Sequence, residues 1–425
     1  MGPRLLVVTS EESSATAGVH AIDIRPGSLV GLSDSSQTTY EETVDRIASH
    51  YGLQAEDIIG ILPTTQFQRD YLLRKECNYF VLDIPGPVVV DRIHSAVDAV
   101  MRKYSAPRTV LVPLRNTLVQ VLLRRADSPV RHFSTSKLQL ASYVEQLVRA
   151  DSRVCVPYGA LHFQATLVSA DDDSHHFLVL CLSHAQYDGF SLARLYLDLS
   201  AAYGGRALAS APDYATNMVH RHRHLTTSPL LDFWQEYLAG SSVTKLRPVQ
   251  DSKQPETAIH LHQEVRVPAL PDGITIATLY KAAWALVLAR HTHTADLVFG
   301  QVVNGRSLPL DGIEEILGAC FHVVQADHIQ ALPYETVDMD ELIARCTDWN
   351  PLTRLETVTQ HQNVPVNPEF RFAGVNCTTF GYEFNYMPCE LRMVDEETAA
   401  LLLDGLCEMV VRLAEHPDAM VTGLM

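Results

Sequence analysis

The sequence predicts an α/β (α+β) protein of two lobes, and three observations carry that expectation. The chain has 425 residues, more than one simple hydrophobic core accommodates. Segments with a helical period alternate with short apolar, β-branched runs in both halves, which is the pattern of mixed helix and sheet. Apolar residues make up 47% and charged residues 20%, the balance of a globular protein in water.

Residues 1–58 are rich in Ser, Thr and Glu, as in SEESSATAG and GLSDSSQTTYEE. They read as a linker or N-terminal extension with one short helix near Tyr40 to Tyr51. From Ile59 the apolar density rises, and ILPTTQFQRDYLL predicts a Pro-initiated turn followed by a helix. Residues 88–104 place Ile93, Val97, Val100 and Met101 on one helical face. TVLVPL and LVQVLL read as strands. HFLVLCL is apolar on both faces, as in a central strand covered on both sides. The DDD of residues 171–173 before it reads as a hairpin tip. In the second half, TLYKAAWALVLARHT is a helix and ADLVFGQVV a strand. ETAALLLDGLCEMVVRLAEHP is an amphipathic helix stopped by Pro417. The best boundary is SPLLDFWQEYLAG, which gives an N-terminal lobe over 59–225 and a C-terminal lobe over 226–425.

The formal charge of −17 argues against nucleic acid or an anionic membrane as main partner. No uncharged apolar run reaches the ~18 residues of a membrane span. The start, MGPRLLVVTSEESS, lacks the apolar region and cleavage site of a secretory signal, and Leu6 breaks the myristoylation pattern. Eight scattered cysteines without CxxC predict reduced thiols and a cytoplasmic setting. His220, His222 and His224 of HRHRH have no acidic or Cys partner at metal spacing, so the segment reads as a solvated basic helix or loop. His291 and His293 read as turn residues, GLSDSS as linker, and no metal or dinucleotide motif is present.

The stretch SHAQYDGFS (183–191) sits where the central strand ends and a helix begins. Gly189 lets the chain turn sharply, and Ser191 or Asp188 can cap the helix. His184 then projects into a cleft, where neutral imidazole is suited to moving a proton near pH 7. Asp188 is better placed to hold the loop through an Arg than to touch substrate. Cys181, three residues before His184 in a strand, points to the opposite face and does not act as its thiol partner.

Several ordered segments resemble the condensation domains of nonribosomal peptide synthetases, most closely the fungal terminal condensation-like branch that releases products by cyclisation. LPTTQFQRDYL (62–72) is similar to the family's opening motif. RKYSAPRT (102–109) is similar to RHxxLRT, with Lys103 in place of the His. SHAQYDGFS is similar to the active-site motif, with Ser183 where many members carry a first His. DFWQEYLAG (232–240), LARHTHTADLVFGQVVNGR (288–306) and CTDWNPLTRLETVTQHQN (346–363) continue the match. The resemblance runs from about Ile59 to the C-terminus.

It implies two chloramphenicol-acetyltransferase-like lobes in a V-shaped pseudo-dimer, with a tunnel between them. His184 becomes the catalytic histidine, as base, positioning group or stabiliser of the tetrahedral intermediate. Asp188, Gly189, Ser183 and Arg306 become the structural part of the site, with Asp188 paired to Arg306. Tyr187, Asn304, His322, Gln360 and His361 become tunnel-lining candidates, His322 standing where the family has Asn. No cofactor is implied, because the acyl group arrives on the phosphopantetheine of an upstream peptidyl carrier domain. The partners are that carrier and its peptidyl thioester, and the isolated domain is expected to be monomeric.

Spacing after Val324 and after Asn363 is shorter than the family pattern. That supports an alternative reading, a module that binds carriers without turnover. A standard intermolecular condensation domain remains open. So does an acyltransferase acting on soluble acyl-CoA, although the DFGWG of that class is absent. The linker-like start and missing carrier and adenylation motifs favour an excised domain.

Overall fold

A computed structural model describes residues 40–72, 77–115, 117–126, 130–225, 228–246, 261–308, 310–325, 334, 337–351, 353–361, 370–372, 374–382 and 396–416. GLSDSS and most of the expected 1–58 linker lie outside these residues.

The described chain begins with α1 (Tyr40–Tyr51), the one short helix expected there. It is no loose extension. Val44, Ile47 and Ala48 pack against Ile58, Ile61, Val110, Val112, Val119 and Val121. Ser, Thr and Glu dominate its surroundings, but one face carries apolar residues at helical spacing. The core it caps belongs to a small antiparallel sheet of β1 (Ile58–Pro63), β3 (Thr109–Leu114) and β4 (Thr117–Leu123), ordered β1-β4-β3. ILP therefore ends a strand, and the expected helix, α2 (Gln66–Leu72), starts after it.

The larger sheet has six strands. Its N-terminal members are β2 (Asn78–Pro85), β5 (Arg131–Thr135), β6 (Gln164–Ala170) and β7 (His175–Leu182). β7 lies between β2 and β6 and is antiparallel to both. Its alternating side chains feed two cores. Leu178, Leu180 and Leu182 face α3 (Val90–Lys103) and α5 (Gly189–Tyr203). Phe177, Val179 and Cys181 face α4 (Leu140–Asp151). The turn between β6 and β7 holds the three aspartates, with Asp173 at φ 52°.

The other two strands come from the far end of the sequence. β11 (Phe370–Phe372) and β12 (Val375–Tyr382) complete the order β11-β12-β2-β7-β6-β5, with Thr378 opposite Asp83 and Tyr382 opposite Tyr79. A division at residue 226 thus does not separate the packing units, since the second half lends strands to the first half's sheet. A long-range pairing of this kind leaves no local sequence signal.

Helices α6 (Tyr214–Leu225) and α7 (Ser228–Tyr237) lead into the second half. Trp234 of α7 is fully buried and packs with α9 (Met339–Cys346), while α8 (Ile276–Thr292) packs with α10 (Glu396–Glu415). The expected strand ADLVFGQVV shrinks to β8 (Gly300–Val303), flanked by β9 (His322–Gln325) and β10 (Val358–Thr359). Val298 instead exchanges hydrogen bonds with Thr244, so its partner is a loop. Among the described residues, no helix is long and apolar enough to cross a membrane.

His162 sits just before β6, and burial pushes its pKa down to about 4. The unfolded chain binds a proton there near pH 6.5, so it holds more protons than the folded chain between about pH 6.5 and 4. Stability from this group is complete above that window and is lost as pH falls through it, by at most about 3 kcal/mol. Urea melts at pH 7 and pH 4 should show a smaller acid loss for His162→Leu than for the wild type. Equal losses in the two proteins would rule out His162 as a source of acid lability.

Candidate active site

After Leu182 the chain makes one 3-10 turn, His184–Gln186, before α5 begins. Ser183 is buried and caps the turn. Its Oγ accepts from the Ala185 N–H at 3.3 Å, and its carbonyl accepts from the Gln186 N–H at 2.8 Å. Two glutamines hold the turn from other elements. Gln186 Nε2 donates to the Ala106 carbonyl at 2.8 Å. Gln68, fully buried in α2, donates Nε2 to the Ala185 carbonyl at 2.8 Å and to Gln120 Oε1 at 3.0 Å. Gln68 Oε1 accepts from the Thr65 N–H, so both ends of its amide are used.

His184 Nδ1 lies 3.0 Å from the Tyr187 carbonyl oxygen. A carbonyl only accepts, so Nδ1 carries the proton and the neutral ring keeps its lone pair on Nε2. The ring stacks on Tyr187 with centroids 4.5 Å apart and planes 7° apart. Phe67 stands edge-on at 5.3 Å and Phe321 lies at 5.2 Å. Phe67 belongs to the first half and Phe321 to the second, so half-buried His184 lies where the halves meet. Tyr187 is fixed in turn, its ring edge-on to Phe80 and its hydroxyl accepting from Asn78 Nδ2 at 2.5 Å.

Asp188 opens α5 with a reciprocal cap. Its Oδ1 accepts from the Ser191 N–H at 2.8 Å, and Ser191 Oγ accepts from the Asp188 N–H at 2.7 Å. Arg306 Nη2 meets both carboxylate oxygens, at 2.9 and 2.8 Å, and the Cys320 N–H donates to Oδ2 at 3.2 Å. Arg306 Nη1 donates to the carbonyls of Ile313 and Ile316. Burial pushes the Cys320 thiol up to about 12, which keeps it neutral beside the carboxylate. Gly318 lets this segment approach closely, because a Cβ there would lie 2.2 Å from the Tyr214 ring.

Other sequence candidates fall in different places. Gly189 is the first residue of α5 and is not among the glycines with positive φ, so the reversal is made by extended Tyr187 and Asp188 rather than by glycine's freedom. Asn304 is exposed and caps the turn into Arg306, its Oδ1 accepting from the Arg306 N–H at 3.0 Å. The His322 backbone pairs with Val303, and its side chain lies outside the described residues. Gln360 and His361 are both exposed, just beyond β10. The short spacings after Val324 and Asn363 fall largely outside the described residues. Phe67, Phe321 and Gln68 were not singled out from sequence. Phe67 and Gln68 lie inside the PTTQFQ segment, and Phe321 adjoins His322, but only the fold shows what they touch.

A cleft of about 320 Å³ lies beside α2, lined by Thr64, Thr65, Arg69, Arg221, Asp338 and Asp340 among others. Arg221 pairs with Asp338 at 2.5 Å and Arg69 with Asp340 at 3.3 Å. None of the rings around His184 lines it, so we assign it to the seam between halves rather than to the reacting centre. HRHRH lies on α6, and buried Arg221 contradicts a fully solvated reading of that segment. Among the described residues, no group of three or more His, Cys, Asp or Glu is placed to hold a metal ion.

Residues 75–367 match the family model described as Condensation domain. The chain belongs to the condensation domain family. It is 31% identical over 463 aligned residues to malformin synthetase mlfA of Aspergillus sclerotiicarbonarius, covering 98% of this chain and 9% of that protein. It is 33% identical over 395 residues to the nonribosomal peptide synthetase lenA of Aspergillus lentulus, covering 84% of this chain and 8% of that one. This condensation domain thus spans less than a tenth of the length of these relatives. A solved structure described as the crystal structure of holo T3CT has the same mixed α/β fold, with TM-score 0.81 and 24% identity over 91% of this chain and 99% of that chain.

Asp188→Ala removes one partner of a buried ion pair and leaves Arg306 uncompensated, which costs about 3–5 kcal/mol. Asp188→Asn keeps an oxygen for the Ser191 cap and should lose less. Denaturant midpoints of the three proteins measure both effects, and an Asp188→Ala protein as stable as wild type would refute the assignment.

Proposed function

We propose that this condensation domain releases a carrier-bound peptidyl thioester by intramolecular amide formation, giving a macrocycle. The observation that carries the reading is His184, locked by Tyr187 as the Nδ1–H tautomer at the junction of the halves. That state leaves Nε2 as the acceptor for a proton from an attacking amine.

The peptide's own amine nitrogen attacks the thioester carbonyl, and a C–N bond forms as the carbonyl becomes tetrahedral. His184 Nε2 accepts or orients the N–H. Collapse breaks the C–S bond, the sulfur leaves as the carrier's pantetheine thiol, and the amine proton ends on it. The thioester is already activated, so positioning supplies much of the rate and neither metal nor dinucleotide is needed. The condensation-domain match and the likeness to a nonribosomal peptide synthetase support a carrier-bound thioester as donor.

A second reading is a domain that binds carriers without turnover. The alignment with malformin synthetase runs over 463 positions although this chain has 425 residues, so the relative carries extra residues within the matched span.

Mass spectrometry of products from a peptidyl-loaded carrier distinguishes the two. A general base or positioning group typically contributes about 10²–10⁴-fold. His184→Ala should lower cyclic product by that factor while carrier binding and Tm stay near wild type. Ser183→Ala loses only a cap and should do less harm, and a chelator should have no effect. Equal cyclisation by wild type and His184→Ala would make the histidine structural, and turnover by neither would favour the binding reading.

A further inference from the structure

We propose that Phe67 and Phe321 form an apolar collar over His184 that keeps water from the acyl group, so that it leaves as an amide rather than as a free acid. The inference rests on the thioester reading above and adds what decides between two nucleophiles.

The two rings arrive from opposite halves and meet each other at 4.3 Å, with His184 5.3 Å from one and 5.2 Å from the other. Tyr187 covers a further side of the imidazole at 4.5 Å. Neither phenylalanine is placed by apolar packing alone. Phe67 precedes Gln68, whose amide grips the Ala185 carbonyl at 2.8 Å, and Phe321 follows Cys320, whose N–H is held by Asp188 at 3.2 Å. Each ring is therefore one residue from a buried hydrogen bond to the segment that carries His184. That arrangement fixes a shield at the base rather than merely filling space near it.

The chemistry shows why a shield matters. When an amine attacks, a C–N bond forms, the C–S bond breaks and the amine proton passes to the thiol. When water attacks, a C–O bond forms, the same C–S bond breaks, the water proton passes to the thiol, and the product is a carboxylic acid. An imidazole that serves one nucleophile serves the other, so the outcome depends on which reaches it. Truncating either ring to alanine opens space beside a polar group, where water is readily held.

Two measurements test the collar. First, wild type, Phe67→Ala, Phe321→Ala and the corresponding leucine variants are given a panel of linear peptidyl-S-pantetheine thioesters with free amino termini. The ratio of acid to cyclic product is read by mass spectrometry. Each alanine variant should raise the ratio about ten-fold or more, the scale of a lost apolar contact, while leucine keeps it near wild type. A merely structural role would lower both products together and leave the ratio unchanged, and that result would overturn the proposal. Second, carbethoxylation of His184 by diethyl pyrocarbonate is followed by peptide mapping without substrate. It should be several-fold faster in the alanine variants than in wild type or the leucine variants, and equal rates would overturn the collar. If wild type converts none of the panel, the thioester reading fails, and the carbethoxylation rates still decide whether the rings shield the histidine.

Discussion

Asp188 and Arg306 meet with side chains only 5% and 3% exposed, and an ion pair so far from water is stable only when its remaining polar capacity is met. Here most of it is. The carboxylate accepts from the guanidinium, from the first turn of α5 and from the Cys320 N–H, while the guanidinium also holds the Ile313 and Ile316 carbonyls. The N-terminus of α5 adds its own attraction for negative charge. The result ties three things at one point: the end of the active-site turn, the start of the helix behind it, and residues 313–320 from the other half. Phe321 follows directly from that tie, so the environment of His184 depends on a charge pair formed behind the turn that carries it.

The turn itself is held by backbone carbonyls as much as by side chains. Ala185 gives its carbonyl to Gln68, Tyr187 gives its carbonyl to His184, and Ala106 takes the amide of Gln186. A buried acceptor left unpaired costs about 1–3 kcal/mol, so each of these bonds penalises any other conformation of the loop. Rotation of the imidazole about its own axis is opposed by the Nδ1 bond and by the Tyr187 stack. Order of this kind is what a reaction limited by positioning requires.

Much of this was legible in the sequence where the cause is local. Strand β7 showed itself through an unbroken apolar run, α3 through Ile93, Val97 and Val100, and the Asp188–Arg306 contact through the family resemblance. What was hidden depends on partners far along the chain. Strands β11 and β12 belong to the first sheet only because β12 meets β2, and nothing in VNCTTFGY names that neighbour. Helix α1 was expected at Tyr40–Tyr51, but the polar composition around it hid that it packs into the core of the small sheet. Gly189 was assigned a turn that extended Tyr187 and Asp188 make instead. Phe67 and Gln68 read as an unremarkable pair, since an alternation of ring and amide says nothing until α2 is laid against the active-site turn.

The seam between halves combines three ties of different physical character. One is the buried ion pair. Another is an apolar core in which Leu62 and Leu122 of the first half join Leu308, Leu310, Ile313 and Ile316 of the second. The third is the antiparallel ladder from Thr378 to Tyr382 on β2. Salt weakens exposed charge pairs but not this buried one, cooling weakens apolar contact more than hydrogen bonding, and a ladder yields only by breaking several bonds together. Neither salt nor cooling alone loosens all three. Separating the halves as rigid bodies would expose the core and strand the ladder's hydrogen bonds at the same moment. Smaller movements of side chains around His184 leave every one of these ties intact, so they cost less than parting the halves.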